Sequence, residues 1–323
     1  MANLRIVTLG GGGGQAQILR ALREIEGLEI TGICPSTDSG GSTGILKDEY
    51  EADGYLGDLT KCAAALCRDE LLSRALMYRY QGGSLRGHSV KNLLLLALEK
   101  EGGKKGGLEA FWKLCGLNGH RVLPVTMKKT QLCAALRTGG HIASETVIDT
   151  IAKNPLWHPD THAISRVYLK PEPRITPEVE GALSAADWII ISPGDFYSSI
   201  IPVLLPKGMK EAISRSPGKI VLLLNLVNKR GETDNYTADD FLKRIEKHLG
   251  RRTDIVFCNS KEIPRKVALN YRLEDKIVFP SRKINRAGVL HAPFASVSPE
   301  GVLLHDLAVL RREFKKLLFS DPL

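Results

Sequence analysis

Two acidic residues, Asp38 and Asp58, stand among glycines and small hydroxyl residues. The first stretch reads Ser36-Thr37-Asp38-Ser39-Gly40-Gly41-Ser42-Thr43-Gly44. A carboxylate in such a loop can hold a metal-bound water, a ribose hydroxyl or a substrate hydroxyl. Ser42, Thr43 and the glycine amides can take phosphate oxygens, although the same composition also suits a solvent loop of side-chain turns. The second stretch, Tyr55-Leu56-Gly57-Asp58-Leu59-Thr60-Lys61, opens a helical pattern. Asp58 is there either an N-cap or a second carboxylate on the same cleft, and Lys61, one turn on, can meet a phosphate. In Gly87-His88-Ser89-Val90-Lys91-Asn92, Ser89 is a natural helix cap. His88 is a cap neighbour, a phosphate contact or a proton-transfer group. Ser198 and Ser199, after Pro193-Gly194, sit at another helix start, where hydroxyls and amides bind anions or simply cap the helix. Asn225 and Asn259 each end an apolar run, where a side-chain amide can read a base, ribose or sugar.

These residues are organised around a run of five glycines, Gly10 to Gly14, between the apolar segment Leu4–Leu9 and the helical pattern beginning at Gln15. Strand, glycine turn and helix together point free N–H groups and the positive end of a helix at an anion. Gly11, Gly12, Gly13 and Gly14 are thus expected to seat a phosphorylated ligand. The letters Gly10-x-Gly12-x-x-Gln15 do not complete a dinucleotide fingerprint, and the second strand ends in Cys34-Pro35 rather than at an acid. Both facts argue against an NAD-linked oxidoreductase. No phosphate-binding P-loop, nucleophile-elbow serine or zinc-ligand spacing occurs.

Short apolar runs alternate with helical patterns along most of the 323 residues. Strands are expected over Arg5–Leu9, Glu29–Cys34, Val122–Thr126, Arg166–Leu169, Trp188–Ser192, Lys219–Asn225, Asp254–Asn259 and Ile277–Phe279. The alternation predicts an α/β fold, a doubly wound, mostly parallel Rossmann-like sheet with ligands beyond the carboxyl ends of its strands. Gln131–Thr138 and His141–Asp149, joined by Gly139-Gly140, read as a small antiparallel hairpin insertion. The expected organisation is one domain over 1–323 with an inserted subregion near 127–174. Six scattered cysteines suit reduced thiols, and the apolar runs are too short for a membrane span. With no secretion signal at the start, a cytoplasmic location is expected. The net charge of +9 suits anionic small molecules. Nucleic acid ranks last, because the basic residues are dispersed and aromatics make up only 6%. A symmetric homo-oligomer is expected for a fold of this size.

Taken in order, six motifs resemble the YvcK family of gluconeogenesis factors. They are Gly10–Gly14, Asp38–Gly44, Gly57-Asp58, Gly87-His88-Ser89 with Asn92-Leu93, Pro193-Gly194 with Tyr197–Pro202, and Gly231-Glu232-Thr233 with Tyr236. That family belongs to the superfamily of the 2-phospholactate transferase CofD. The resemblance implies a cytoplasmic, Rossmann-like protein needed for cell shape, with a UDP-sugar ligand. It adds Asn92, Tyr197 and Gly194 to the expected ligand-binding residues. In the CofD branch it implies a transferase that moves a phospholactyl group from a nucleotide-diphospho donor to a deazaflavin, using Mg2+, with Asp38 and Asp58 serving the metal or the acceptor. The sequence departs from the family pattern at Ser39, where a second aspartate is usual. It also departs at Thr60-Lys61, in place of Arg-Asn, and at Lys91, in place of glycine. Losing an acid and gaining two lysines favours diphosphate binding over metal-dependent transfer. The sequence therefore points to a nucleotide-sugar-binding protein linked to gluconeogenic growth and cell-wall precursor supply. It would need no cofactor and no metal, with Mg2+ at Asp38 only under the transferase alternative.

Overall fold

The computed structural model describes residues 3–273, 284, 286 and 288–319. Twelve strands occur among them: β1 Leu4–Leu9, β2 Leu28–Cys34, β3 Arg121–Pro124, β4 Gln131–Leu136, β5 His141–Ala143, β6 Ile164–Lys170, β7 Trp188–Ile191, β8 Lys219–Leu223, β9 Ile255–Asn259, β10 Val289–Ala292, β11 Ala295–Val297 and β12 Leu303–His305. Seven form one sheet in the order β10-β9-β8-β7-β1-β2-β3, and all its pairings are parallel. The chain moves outward from β1 through β2 to β3, then returns to lay β7 on β1's other edge. The switch point of the sheet therefore lies between β1 and β7, where ligand crevices form in open α/β sheets.

The central strands are apolar on both faces because both faces are covered. Ile6, Ile30, Ile190 and Val221 belong to one buried cluster, with helices α1 (Gly12–Leu22) and α3 (Leu56–Leu66) and the last helix, Leu307–Phe319. Val7, Leu9, Ile33, Ile189, Ile191, Ile220 and Leu222 belong to the other, with helix Ala238–Leu249. That helix is bounded as its sequence dictates. A Thr237–Asp240 capping box opens it, Gly250 at φ 77° closes it, and Phe241, Leu242, Ile245 and Leu249 form its buried stripe.

The remaining elements refine the sequence reading. Between α1 and α3 lies α2 (Gly41–Tyr50), which begins inside the glycine and serine stretch read as loop. Next come α4 (Glu70–Met77) and α5 (Val90–Leu114), the latter broken at Gly103, φ 70°. The hairpin expected over 131–149 forms, but its second strand stops at Ala143, and Glu145–Asp149 turns into a short helix, α6. Its other edge pairs with β6, giving a three-stranded antiparallel sheet. The strand expected at Ile277–Phe279 lies outside the described residues. The hairpin of β11 and β12 had no clear alternation to announce it.

Candidate functional site

The five-glycine run lets α1 start close against the turn after β7. Helix α1 begins at Gly12, and glycine is a poor helix former. The position needs it all the same: a Cβ on Gly14 would lie 1.9 Å from the Pro193 carbonyl oxygen, in the turn after β7. The glycines let the start of α1 press against that neighbouring strand end. Gln15 then locks the helix down, its side-chain amide donating to Thr8 O at 3.1 Å, Thr8 Oγ1 at 3.0 Å and Ile33 O at 3.2 Å.

The amide expected to face a phosphate already holds an anion of the protein. Gly12 N donates to Asp58 Oδ1 at 2.8 Å. Asp58 is the third residue of α3, whose N-cap is Tyr55, so it does not cap its own helix; it caps α1 from across the cleft. A similar arrangement follows β7. There the π-helical turn Phe196–Ile200 gives its Tyr197 and Ser198 amides to Glu232 Oε2 at 2.6 and 3.3 Å, and Ser198 Oγ donates to Glu232 Oε1 at 2.8 Å.

Two cavities flank these helix starts. The smaller, about 370 Å³, is lined by Asp38, Ser42, Thr43, Asp58, Lys61, Asn92, Ser198 and Ser199, all singled out from sequence, together with Thr37, Arg79, Ser89, Lys91 and Glu145. Asn92 ties its floor together: it donates to Thr43 Oγ1 at 3.2 Å and accepts from Thr60 Oγ1 at 3.0 Å and Lys91 Nζ at 2.7 Å. Lys91 Nζ also donates to Gly57 O and Thr60 Oγ1 at 3.0 and 2.9 Å. Close packing fixes the loop geometry, since a Cβ on Gly57 would stand 1.9 Å from Asp38 Oδ2.

Charge is concentrated in this cavity and strained by it. Burial, then the charge of Asp38, pushes the Asp58 carboxyl up to about 6. The same two causes push Glu145 up to about 8. Burial, then the neighbouring charge of Lys61, pulls Lys91 down to about 7. Glu145 comes from α6 of the antiparallel insertion and accepts from Ser39 N at 3.4 Å. The sequence showed a missing acid at Ser39; the fold brings a carboxylate to that residue from more than a hundred positions away.

The larger cavity, about 1000 Å³, is lined by Gly13, Gly14, Gly194 and Asn225 from the sequence reading, with Leu226, Val227, Tyr271, Leu303 and His305 giving it apolar walls. Asn225 clamps the β7 turn, accepting from Gly194 N at 3.2 Å and donating to Gly194 O at 2.6 Å. Burial holds the His305 imidazole down to about 4, and its Nε2 meets Leu224 O at 3.2 Å. In the lining of the larger cavity, Lys229 Nζ is gripped by Asp149, Asp195 and the buried Glu232, at 2.9 Å from Asp195 and 3.1 Å from Glu232. These three carboxylates are grouped as a metal site would be, with an ammonium at their centre.

Five expected residues line neither cavity. Gly11, the N-cap of α1, lies against Asp58, and a Cβ there would stand 2.5 Å from Asp58 Oδ2. His88 stands behind Ser42, its Nδ1 3.3 Å from Ser42 Oγ. Tyr197 is buried, its hydroxyl 3.0 Å from that of Tyr236. Asn259 shapes its own loop through Lys261 and receives Ala295 N at 2.9 Å. Gly12 lies under the Asp58 carboxylate. Glu145, Lys229 and Asp149 went unnoticed in the sequence because they sit in runs with no motif of their own.

A parallel, doubly wound sheet with a polar crevice beside its switch point defines a Rossmann-like α/β protein whose candidate site is built largely from strand-end turns. The chain belongs to the CofD family: the family model described as 2-phospho-L-lactate transferase CofD matches residues 6–289. Within it the chain resembles the YvcK branch. It is 32% identical to the gluconeogenesis factor of Halalkalibacterium halodurans over 98% of this chain and 95% of that one. It is also 32% identical to the gluconeogenesis factor of Bacillus subtilis over 84% of this chain and 83% of that one. A crystal structure of a UPF0052 family member from Bacillus halodurans superposes with a TM-score of 0.86 at 29% identity, covering 98% and 99% of the two chains. Among the described residues no helix is long and apolar enough to cross a membrane.

Proposed function

We propose that this chain is a cytoplasmic nucleotide-sugar-binding protein of the UDP-sugar type, working where gluconeogenic carbon supply meets cell-wall precursor supply and cell shape. One observation carries the reading: two cavities of different character adjoin the start of α1, the larger lined by Gly13 and Gly14 and the smaller by Asp58, which accepts from Gly12 N. The larger, with apolar walls and side-chain amides, suits a nucleoside. The smaller, with Lys61, Lys91 and Arg79 beside hydroxyls and carboxylates, suits a diphosphate and the hydroxyls of a sugar. Such a ligand would lie across Gly13, Gly14 and Gly194. Titration of the full chain with UDP-N-acetylglucosamine, UDP-glucose, GDP and NADH, followed by thermal shift, tests it. A ligand at a hundred times its dissociation constant stabilises the fold by about 2.7 kcal/mol. Equal response to NADH, or none to any UDP-sugar, would overturn the reading.

A second reading, a CofD-type transferase, is favoured by the carboxylates of Asp38, Asp58 and Glu145 on one wall of the smaller cavity. Hard oxygen donors suit Mg2+, and the repulsion that raises Asp58 is one a dication relieves. Asp38 and Asp58 would hold it, and it would offset charge on a diphosphate leaving group. Lys61 and Arg79 would orient the phosphates. Acceptor-dependent release of nucleotide from a diphospho donor in the presence of Mg2+ would select this reading over the first.

A further inference from the structure

We propose that the start of α5 is an anion seat separate from the glycine turn, that the Ser89 hydroxyl and Arg79 supply its donors and Lys91 adds positive charge behind them, and that it takes a phosphate group. The proposal rests on reading the smaller cavity as part of the ligand cleft.

Ser89 is the N-cap residue of α5, with the extended backbone (φ −107°, ψ 142°) from which a serine hydroxyl ordinarily accepts an amide of the first helical turn. Its hydroxyl makes no such bond. The residue is 1% exposed, lines the smaller cavity, and its Oγ has no hydrogen-bond partner among the described residues. Thr37, in the same lining and 2% exposed, is in the same state: its Oγ1 is buried and unpartnered. Buried polar atoms are normally satisfied, so two orphan hydroxyls in one cavity point to a ligand that bonds them.

The charge around Ser89 selects the ligand's sign. Lys91, two residues on, is buried with its ammonium fixed by Gly57, Thr60 and Asn92. Arg79 reaches the cavity from the segment that bridges to Ser89, and its guanidinium is steadied by Gly87 O. Lys61 completes three cations lining one small space. Burial lowers Lys91 first, and the charges of Lys61 and Arg79 add to it while Asp58 and Asp38 offset part of it. An anion there also receives the partial positive charge of the first turn of α5. The start of α1 and the turn after β7 have their anions built in, as Asp58 and Glu232. At α5 the protein supplies cations and hydroxyls, and among the described residues no carboxylate caps the helix start. Asp38, Asp58 and Glu145 line the same space, so the anion is expected at the Ser89 and Arg79 end and away from these carboxylates.

The phosphate has two sources, the diphosphate of the nucleotide ligand or a separate small phosphate ester. Inorganic pyrophosphate is the direct probe, titrated calorimetrically into the full chain. Arg79 is exposed, so Arg79→Gln leaves the fold intact. It should weaken pyrophosphate binding about tenfold. Ser89→Ala should weaken it severalfold, and Ser89→Thr should restore it, which a purely structural role for the hydroxyl does not require. Unchanged affinity in Arg79→Gln and Ser89→Ala would overturn the proposal, as would absence of pyrophosphate binding to the parent chain. Uridine monophosphate separates this test from the functional reading: its binding in the larger cavity should survive both substitutions. Competition between pyrophosphate and a UDP-sugar assigns the seat to the diphosphate; simultaneous binding assigns it to a separate phosphate ester.

Discussion

Replacing Asp58 by asparagine should make the protein more stable at neutral pH while leaving its architecture in place. The asparagine Oδ1 can still accept Gly12 N, so the cap on α1 survives. What disappears is a charge held unfavourably by burial and by Asp38. In the folded protein the Asp58 carboxyl sits at about 6, against 3.8 for the free side chain. The folded state thus holds this proton more tightly than the unfolded chain does. The stability it contributes is complete below about pH 4, declines as the pH rises to about 6, and stays lost above that. A shift of roughly two units corresponds to about 3 kcal/mol, and about 2 kcal/mol is a fair expectation once the water in the cleft is allowed for. Asparagine does not titrate there, so the stability difference between Asp58→Asn and the parent should grow in the variant's favour by about 2 kcal/mol between pH 4 and pH 7. Urea denaturation followed by circular dichroism across that range measures it. Asp58→Ala serves as the control. It loses the cap as well and should carry an added penalty of about 1 kcal/mol at every pH. A difference between asparagine variant and parent that does not change with pH would refute the reasoning.

Two further substitutions test the frame around the cleft. Gly14→Ala should destabilise by more than about 2 kcal/mol in thermal denaturation, because its Cβ meets the Pro193 carbonyl at 1.9 Å, whereas Gly13→Ala, with nothing within 4 Å, should gain several tenths of a kcal/mol of helix propensity. Lys229→Met leaves Asp149, Asp195 and the fully enclosed Glu232 side chain without their shared cation, and should cost about 3–5 kcal/mol, with the Lys229→Met/Glu232→Gln double variant recovering part of it in the same assay.

The alternation of apolar runs and helical patterns placed six of the seven strands of the parallel sheet, because each central strand is buried on both faces and has to be continuously apolar; it missed the edge strand β10, and Arg166–Leu169 pairs in the antiparallel sheet instead. It also placed the glycine turn at the end of β1, since few other compositions allow a helix start to approach a neighbouring carbonyl so closely. The residues of the smaller cavity were legible to the extent that they sat in glycine- and hydroxyl-rich stretches: Asp38, Ser42, Thr43, Asp58, Lys61 and Asn92 converge there as their motifs suggested. Which groups are free to meet a ligand was not legible. A local string shows a helix start but does not show what lies across from it. Only the packing of α3 against α1 puts Asp58 on the Gly12 amide, and only the turn after β8 brings Glu232 to Tyr197 and Ser198. Apart from the local Lys229–Glu232 pair, Glu145 and Lys229 matter through partners 34 to 106 residues away, so their roles come into being only with the tertiary fold. Sequence periodicity fixes burial, which is a local average; the satisfaction of each polar group depends on single distances that the assembled fold alone decides.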